Sequence, residues 1–141
     1  INAIEIAKSR NIKISILQND QPSEYNTLIR LTLTTDRRSR SVAGSIFGGQ
    51  SRIVEIKGIK IDAELGNFNI YLTNKDKVGV INSVTQVLTK NNINIATFNL
   101  GRVSPEGEAI ALIQTDQICD EPILNYLRKI KNVNQVKSIV I

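Results

Sequence analysis

The sequence has no histidine, no methionine and no tryptophan, and its one cysteine is Cys119. Without histidine there is no imidazole base, no histidine-activated nucleophile and no histidine ligand for a metal or haem. A lone cysteine excludes an internal disulfide, a cysteine-based zinc site and an all-cysteine iron–sulfur cluster. There is no run of about 18 apolar residues, so no transmembrane helix is expected. Residues 1–11 carry Glu5, Lys8 and Arg10 and contain no apolar signal core, so no secretory signal is expected either. Any catalysis would have to rest on carboxylates, lysine, serine or tyrosine. The absences favour a binding or regulatory role over an enzymatic one.

What is present is globular in composition: 141 residues, 41% hydrophobic and 22% charged. That length suits one ordinary domain or two small ones. The net charge is +5, with ten basic and seven acidic residues in positions 1–66 and eight and six in positions 67–141. So even a spread gives no strongly basic face. Only Arg37, Arg38 and Arg40 cluster, and they read as a solvated hairpin tip, an anion contact or a nucleic-acid contact. The chain opens on Ile1 and not on Met, and is expected to be part of a longer protein.

The first half reads as a β-meander with a helical start. Residues 1–11 place apolar side chains at 1, 3, 4, 6 and 7, a helical spacing. Residues 13–18 (KISILQ) alternate like a strand, and residues 19–24, with Pro22, read as a loop. Strands are expected at 26–35, 40–47, 52–56 and 59–64, joined by turns at Asp36-Arg37-Arg38-Ser39, Gly48-Gly49 and Lys57-Gly58. The second half has another rhythm. Strands at 67–73, 93–103, 109–115 and 133–141 alternate with helices at 79–91 and 120–131. The first helix has a stripe of Val80, Ile81, Val84, Val87 and Leu88. The second has Asp120 as N-cap and Ile123, Leu124, Leu127 and Ile130 inward. The order βαββαβ is a split βαβ repeat of the ferredoxin-like type. The fold class is therefore α+β, an antiparallel meander over residues 1–66 followed by a βαββαβ unit over 67–141. Gly66 marks the boundary, and no flexible linker separates the two. One short helix cannot cover about five strands, so part of the first half's apolar face should lie bare unless a preceding segment or another chain covers it.

The candidate chemistry lies where the second half's first strand turns into its helix. Asn74 and Asp76 precede Gly79, which opens the helix. A helix start offers unpaired N–H groups and a positive dipole end to a carboxylate, and Asp76 offers a charge to an ammonium. Together they suit a zwitterionic α-amino acid. Alternatively, Asp76 caps the helix and Gly79 permits the turn. Asn94 faces away from Ile93 and Ile95, and is either exposed or a ligand contact.

Residues 76–96, D-K-V-G-V-I-N-S-V-T-Q-V-L-T-K-N-N-I-N-I-A, resemble the ACT signature D-x-P-G-V-(I/L)…L…I-N-I. Residues 40–64, R-S-V-A-G-S-I-F-G-G-Q-S-R-I-V-E-I-K-G-I-K-I-D-A-E, resemble the allosteric substrate-binding (ASB) domain of long-form D-3-phosphoglycerate dehydrogenases. Residues 1–13, I-N-A-I-E-I-A-K-S-R-N-I-K, resemble a helix of that same domain. The resemblance implies the regulatory C-terminal part of such an enzyme, with an N-terminally incomplete ASB domain at 1–66 and an ACT domain at 67–141. NAD and the catalytic residues would belong to domains upstream; this stretch has no G-x-G-x-x-G and implies no cofactor or metal of its own. It further implies ACT domains paired through the first strand and second helix into an eight-stranded sheet, as a homodimer or tetramer, with L-serine between chains. By this resemblance Asp76 holds the serine ammonium, Asn74 lies beside it, the Val80 and Ile81 N–H groups hold the carboxylate, and Asn94 of a second chain bridges ammonium and hydroxyl. A cytoplasmic or plastid-stroma location follows from the same likeness, with no nucleic acid or membrane as partner.

There are departures. Val78 replaces the usual Pro, so the loop loses a fixed φ, and Asn74 replaces the frequent His or Tyr; either change is expected to weaken serine binding without abolishing it. Arg52 stands where relatives hold an anion, phosphate or 3-phosphoglycerate, but Glu64 and Gln114 replace other basic positions; a surface charge on a strand explains Arg52 equally. A second family has the same domain order, the β chain of iron–sulfur L-serine dehydratases. An RNA-binding βαββαβ module would need stacking aromatics, and only Phe68, Tyr71 and Phe98 lie on suitable strands.

Overall fold

In the computed structural model the described residues are 2–18, 25 and 27–141. A short helix α1 (Ala3–Ser9) is followed by strands β1 (Leu28–Thr34), β2 (Ser39–Phe47), β3 (Gln50–Ile56) and β4 (Ile59–Ala63). These four form an antiparallel meander in the order β1-β2-β3-β4. The chain continues through β5 (Phe68–Lys75), α2 (Val80–Lys90), β6 (Ile95–Arg102), β7 (Glu108–Thr115), α3 (Glu121–Arg128) and β8 (Val133–Val140). That second set is the expected βαββαβ unit, an antiparallel sheet in the order β6-β7-β5-β8. Asp120 caps α3 as expected, accepting the Ile123 N–H at 3.1 Å. The helix ends three residues early, because Lys129 and Ile130 already turn back to the carbonyls of Tyr126 and Leu127.

β7 explains the packing. Its run Ala109 to Ile113 is buried throughout, as expected for a strand covered on both faces. Ala111 and Ile113 join Ile70 and Leu72 of β5 under Val80, Val84 and Leu88 of α2 and Ile123, Leu124 and Leu127 of α3. Ile110 and Leu112 point the other way and meet Ile59, Ile61 and Ala63 of β4. The two halves therefore share a core, as the lack of a linker implied. Where β4 crosses β6, Gly101 is the enabling residue: a Cβ there would lie 2.3 Å from the Lys60 carbonyl oxygen and 3.1 Å from Ile59 Cγ2. Lys57 Nζ adds an ion pair across the join, 3.0 Å from Glu108 Oε1.

Three expectations need correction or limits. Residues 13–18 do not form a strand; residues 12–18 carry no regular structure and leave Ile14, Ile16 and Leu17 exposed. Alternation makes a strand only where a neighbouring backbone completes the ladder, and none of the described residues lies alongside. The expected loop at 19–24 falls outside the described residues. The third concerns pairing through the first strand of the second half. β5 lies between β7 and β8 and has no free edge; the edges of this sheet are β6 and β8. The bare apolar face is present: α1 buries none of its residues, and Ile29, Leu31 and Leu33 of β1 are exposed. Ile29 and Leu31, with Val42, Ile46, Ile53 and Leu65, border an open groove of about 500 Å³. Arg37 and Arg38 sit exposed at the β1–β2 turn, the expected hairpin tip. Tyr71 packs against the β4 core and Phe98 against the helical one, so these two aromatics form no open stacking platform.

Two outcomes follow. Gly101→Ala should lower stability by about 1–3 kcal/mol in urea unfolding, because the added methyl meets backbone that cannot turn aside. On the first sheet, Glu55 accepts two hydrogen bonds from Arg30, and the guanidinium holds its carboxyl below the usual range. A carboxyl lowered in the folded state stabilises above its unfolded pKa, about 4.3, and that contribution is lost as pH falls through the folded value. Glu55→Gln should therefore lower the urea midpoint at pH 7, and the gap from the unsubstituted chain should close on acidification below about pH 4.

Candidate functional site

The end of β5 and the start of α2 are tied down by neighbours. The Lys75 N–H donates to the Asn132 carbonyl at 2.9 Å, and the Asp76 N–H donates to the Gly107 carbonyl at 2.8 Å. Lys77 Nζ lies 2.9 Å from Glu106 Oε2. The loop is thus pinned to the β6–β7 turn, while Val78 at its tip is fully exposed. Gly79 then starts α2 from the left-handed region, at φ +89°, where a side chain would be strained.

No side chain caps α2. This decides between the two readings of Asp76: its carboxylate is not a helix cap. Instead Asp76 Oδ2 accepts from Arg102 Nη1 at 2.8 Å, with the Asp76 side chain 24% exposed. Arg102 was not among the residues singled out from sequence. The signal that could have found it is register, since an arginine closing a strand gives no motif. At the helix start the Val80 N–H donates to the Lys77 carbonyl at 3.3 Å and the Ser83 N–H to the Gly79 carbonyl at 2.9 Å. Among the described residues, the N–H groups of Ile81 and Asn82 are left without an acceptor. Of the two amides expected to hold a carboxylate, Ile81 is therefore the open one and Val80 is engaged.

Asn74 is 2% exposed. Its Nδ2 donates to the Lys75 carbonyl at 2.7 Å, and its Oδ1 is buried with no donor. An unpaired buried acceptor costs about 1–3 kcal/mol, which a donor arriving at the site would offset. Asn74, Ala109 and Arg102 form one cross-strand row, since Asn74 opposes Ala109 and Ala109 opposes Arg102. Asn74, Asp76, Arg102 and the α2 start are thus brought together.

Asn94 is not among them. It is exposed, and its Nδ2 donates to Asp116 Oδ2 at 2.6 Å. It precedes β6, whereas Arg102 ends it, a separation on the order of 25 Å at strand rise. One chain cannot close a site containing both Asp76 and Asn94. Arg52 lies elsewhere again, on β3, with Nε 2.5 Å from Asp62 Oδ1 and Nη1 3.3 Å from Glu64 Oε1. Two carboxylates already neutralise it. Cys119 is buried, and burial raises its thiol pKa, so it serves as a core residue.

Residues 1–57 match the family model of the D-3-phosphoglycerate dehydrogenase intervening domain. The chain is 34% identical to the D-3-phosphoglycerate dehydrogenase of Bacillus subtilis, over 99% of this chain and 27% of that protein. It is 28% identical to that of Methanocaldococcus jannaschii, over 99% and 26%. It is also 30% identical to a probable L-serine dehydratase β chain of Bacillus subtilis, over 97% of this chain and 63% of the other. The chain is similar to both kinds of protein over nearly its whole length. It spans about a quarter of the length of these dehydrogenases. Among solved structures, the ACT domain of a GTP pyrophosphokinase from Chlorobium tepidum matches 51% of this chain and 95% of its own length, at 24% identity and a TM-score of 0.43.

Gly79→Ala should cost about 1–2 kcal/mol, since the left-handed conformation must be kept or the loop re-formed. Thermal unfolding measures it, and a loss below about 0.3 kcal/mol would mean the loop relaxes freely.

Proposed function

We propose that this chain is the regulatory and oligomerisation region of an NAD-dependent D-3-phosphoglycerate dehydrogenase, with an ASB domain at 1–66 and an ACT domain at 67–141. In this reading it binds L-serine as feedback effector, and NAD binds to catalytic domains elsewhere in the protein. The observation that carries it is the uncapped start of α2 beside the Asp76 carboxylate, in a chain homologous to these dehydrogenases over nearly all its length. Asp76 takes the ammonium, the Ile81 N–H a carboxylate oxygen, and Asn74 Oδ1 a donor of the ligand. Binding of this kind does no chemistry; it shifts the balance between states of the whole enzyme.

A second copy would bridge the gap of about 25 Å. β6 is an edge strand, and two β6 strands pairing antiparallel would set Asn94 of one copy beside the Arg102 end of the other. Such pairing supports the expected dimer while moving it from β5 to β6. A second reading is the equivalent region of an iron–sulfur L-serine dehydratase β chain, favoured by the larger share, 63%, of that relative which this chain spans. Arg52, held by two carboxylates, supports a structural role better than an anion site for phosphate or 3-phosphoglycerate.

Calorimetric titration of L-serine into the full chain, with glycine and L-alanine as controls, tests the reading. Saturable, serine-selective binding is expected. Asp76→Ala and Asn94→Ala should each weaken it roughly 10- to 100-fold, the worth of a charge-assisted hydrogen bond. Unchanged affinity in both variants would overturn the site.

A further inference from the structure

Arg102 has one polar contact among the described residues, a single Nη1–H to Asp76 Oδ2. A guanidinium has five N–H donors in a planar fork, so four remain for another acceptor. Asp76 likewise keeps Oδ1 open. The pair is held end-on, with both charges presented and each only half used. Its place is fixed by the sheet: the cross-strand row Asn74–Ala109–Arg102 sets the arginine one small residue away from Asn74, whose Oδ1 is buried and unpaired.

We propose that Arg102 reads the α-carboxylate of the ligand, so that the Arg102–Asp76 pair is a receptor for a zwitterion. This rests on the amino-acid-binding reading above and adds to it the group that distinguishes an amino acid from an amine. The ligand ammonium lies on Asp76 and its carboxylate on the Arg102 fork, with the Ile81 N–H giving direction. The four charges then alternate in sign, and the existing ion pair need not break. A ligand with only an ammonium meets Asp76 alone, leaves the free N–H donors of the guanidinium unmet, and brings a second positive charge beside Arg102 with no anion between them. Selectivity for α-amino acids over their amides is therefore built into the pair.

The test is titration of L-serine and L-serinamide into the full chain and its Arg102→Gln variant at about pH 6, where both α-amines are protonated. The chain should favour L-serine over L-serinamide by at least about 10-fold. In Arg102→Gln, L-serine should weaken by a similar factor while L-serinamide holds or tightens, so the preference collapses. Circular dichroism and unfolding midpoints establish that the variant folds; should it not, Arg102→Lys, which keeps the charge and loses the fork, should retain part of the preference. A preference for L-serine that survives in Arg102→Gln overturns the proposal and leaves serine binding standing. Binding of neither ligand to the unsubstituted chain removes both.

Discussion

The sheet of the second half is covered on both faces, and β7 is the strand through which this constraint acts. Odd positions from Ala109 to Ile113 face the helices, and even ones face β4. Every neighbour of β7 must therefore fit between two packed layers. Gly101 on β6 has no side chain because β4 passes there. Ala109 is small and wholly buried, with Asn74 and Arg102 on either side of it. The core that joins the two halves thus also sets the spacing of the candidate site. An effector bound at the α2 start, as proposed, would touch strands that themselves pack on the first half.

Much of this was legible in the sequence. The helical stripe from Val80 to Leu88, the Asp120 cap and the unbroken apolar run at Ala109 all depend on local periodicity, and local periodicity survives folding. The alternation of residues 13–18 was as clear and formed no strand, because a strand is a relation between two backbones and the sequence of one does not state its partner. The same limit governs the edges of the second sheet. Nothing in residues 67–73 reveals that β5 becomes an interior strand, since order in a sheet is set by the packing of α2 and α3 on one face.

The candidate site divides in the same way. Asp76 and Gly79 could be found because a turn into a helix has a chemical signature, a carboxylate and a residue able to take φ +89°. Arg102 could not, being 26 residues from Asp76 and joined to it only through the β6–β7–β5 register. Arg52 was legible as a charge and not as a pair, since Asp62 and Glu64 reach it only once β3 and β4 form a hairpin.

These two arginines show how context sets the use of one side chain. Arg52 faces two carboxylates across a hairpin; a further anion there would have to displace one of them. Among the described residues Arg102 meets one carboxylate, through one N–H, and makes no second ion pair. Arg52 is outnumbered by its two carboxylates, whereas Arg102 and Asp76 balance one to one, and there donors are left over beside an acceptor that is also left over. A surplus of both signs within a few ångströms is the complement of a molecule that carries both, and a neutral or singly charged ligand would leave one side unmet. The uncapped α2 start adds N–H groups to the side that needs an anion. Sequence placed the carboxylate there; the sheet brought its counterpart.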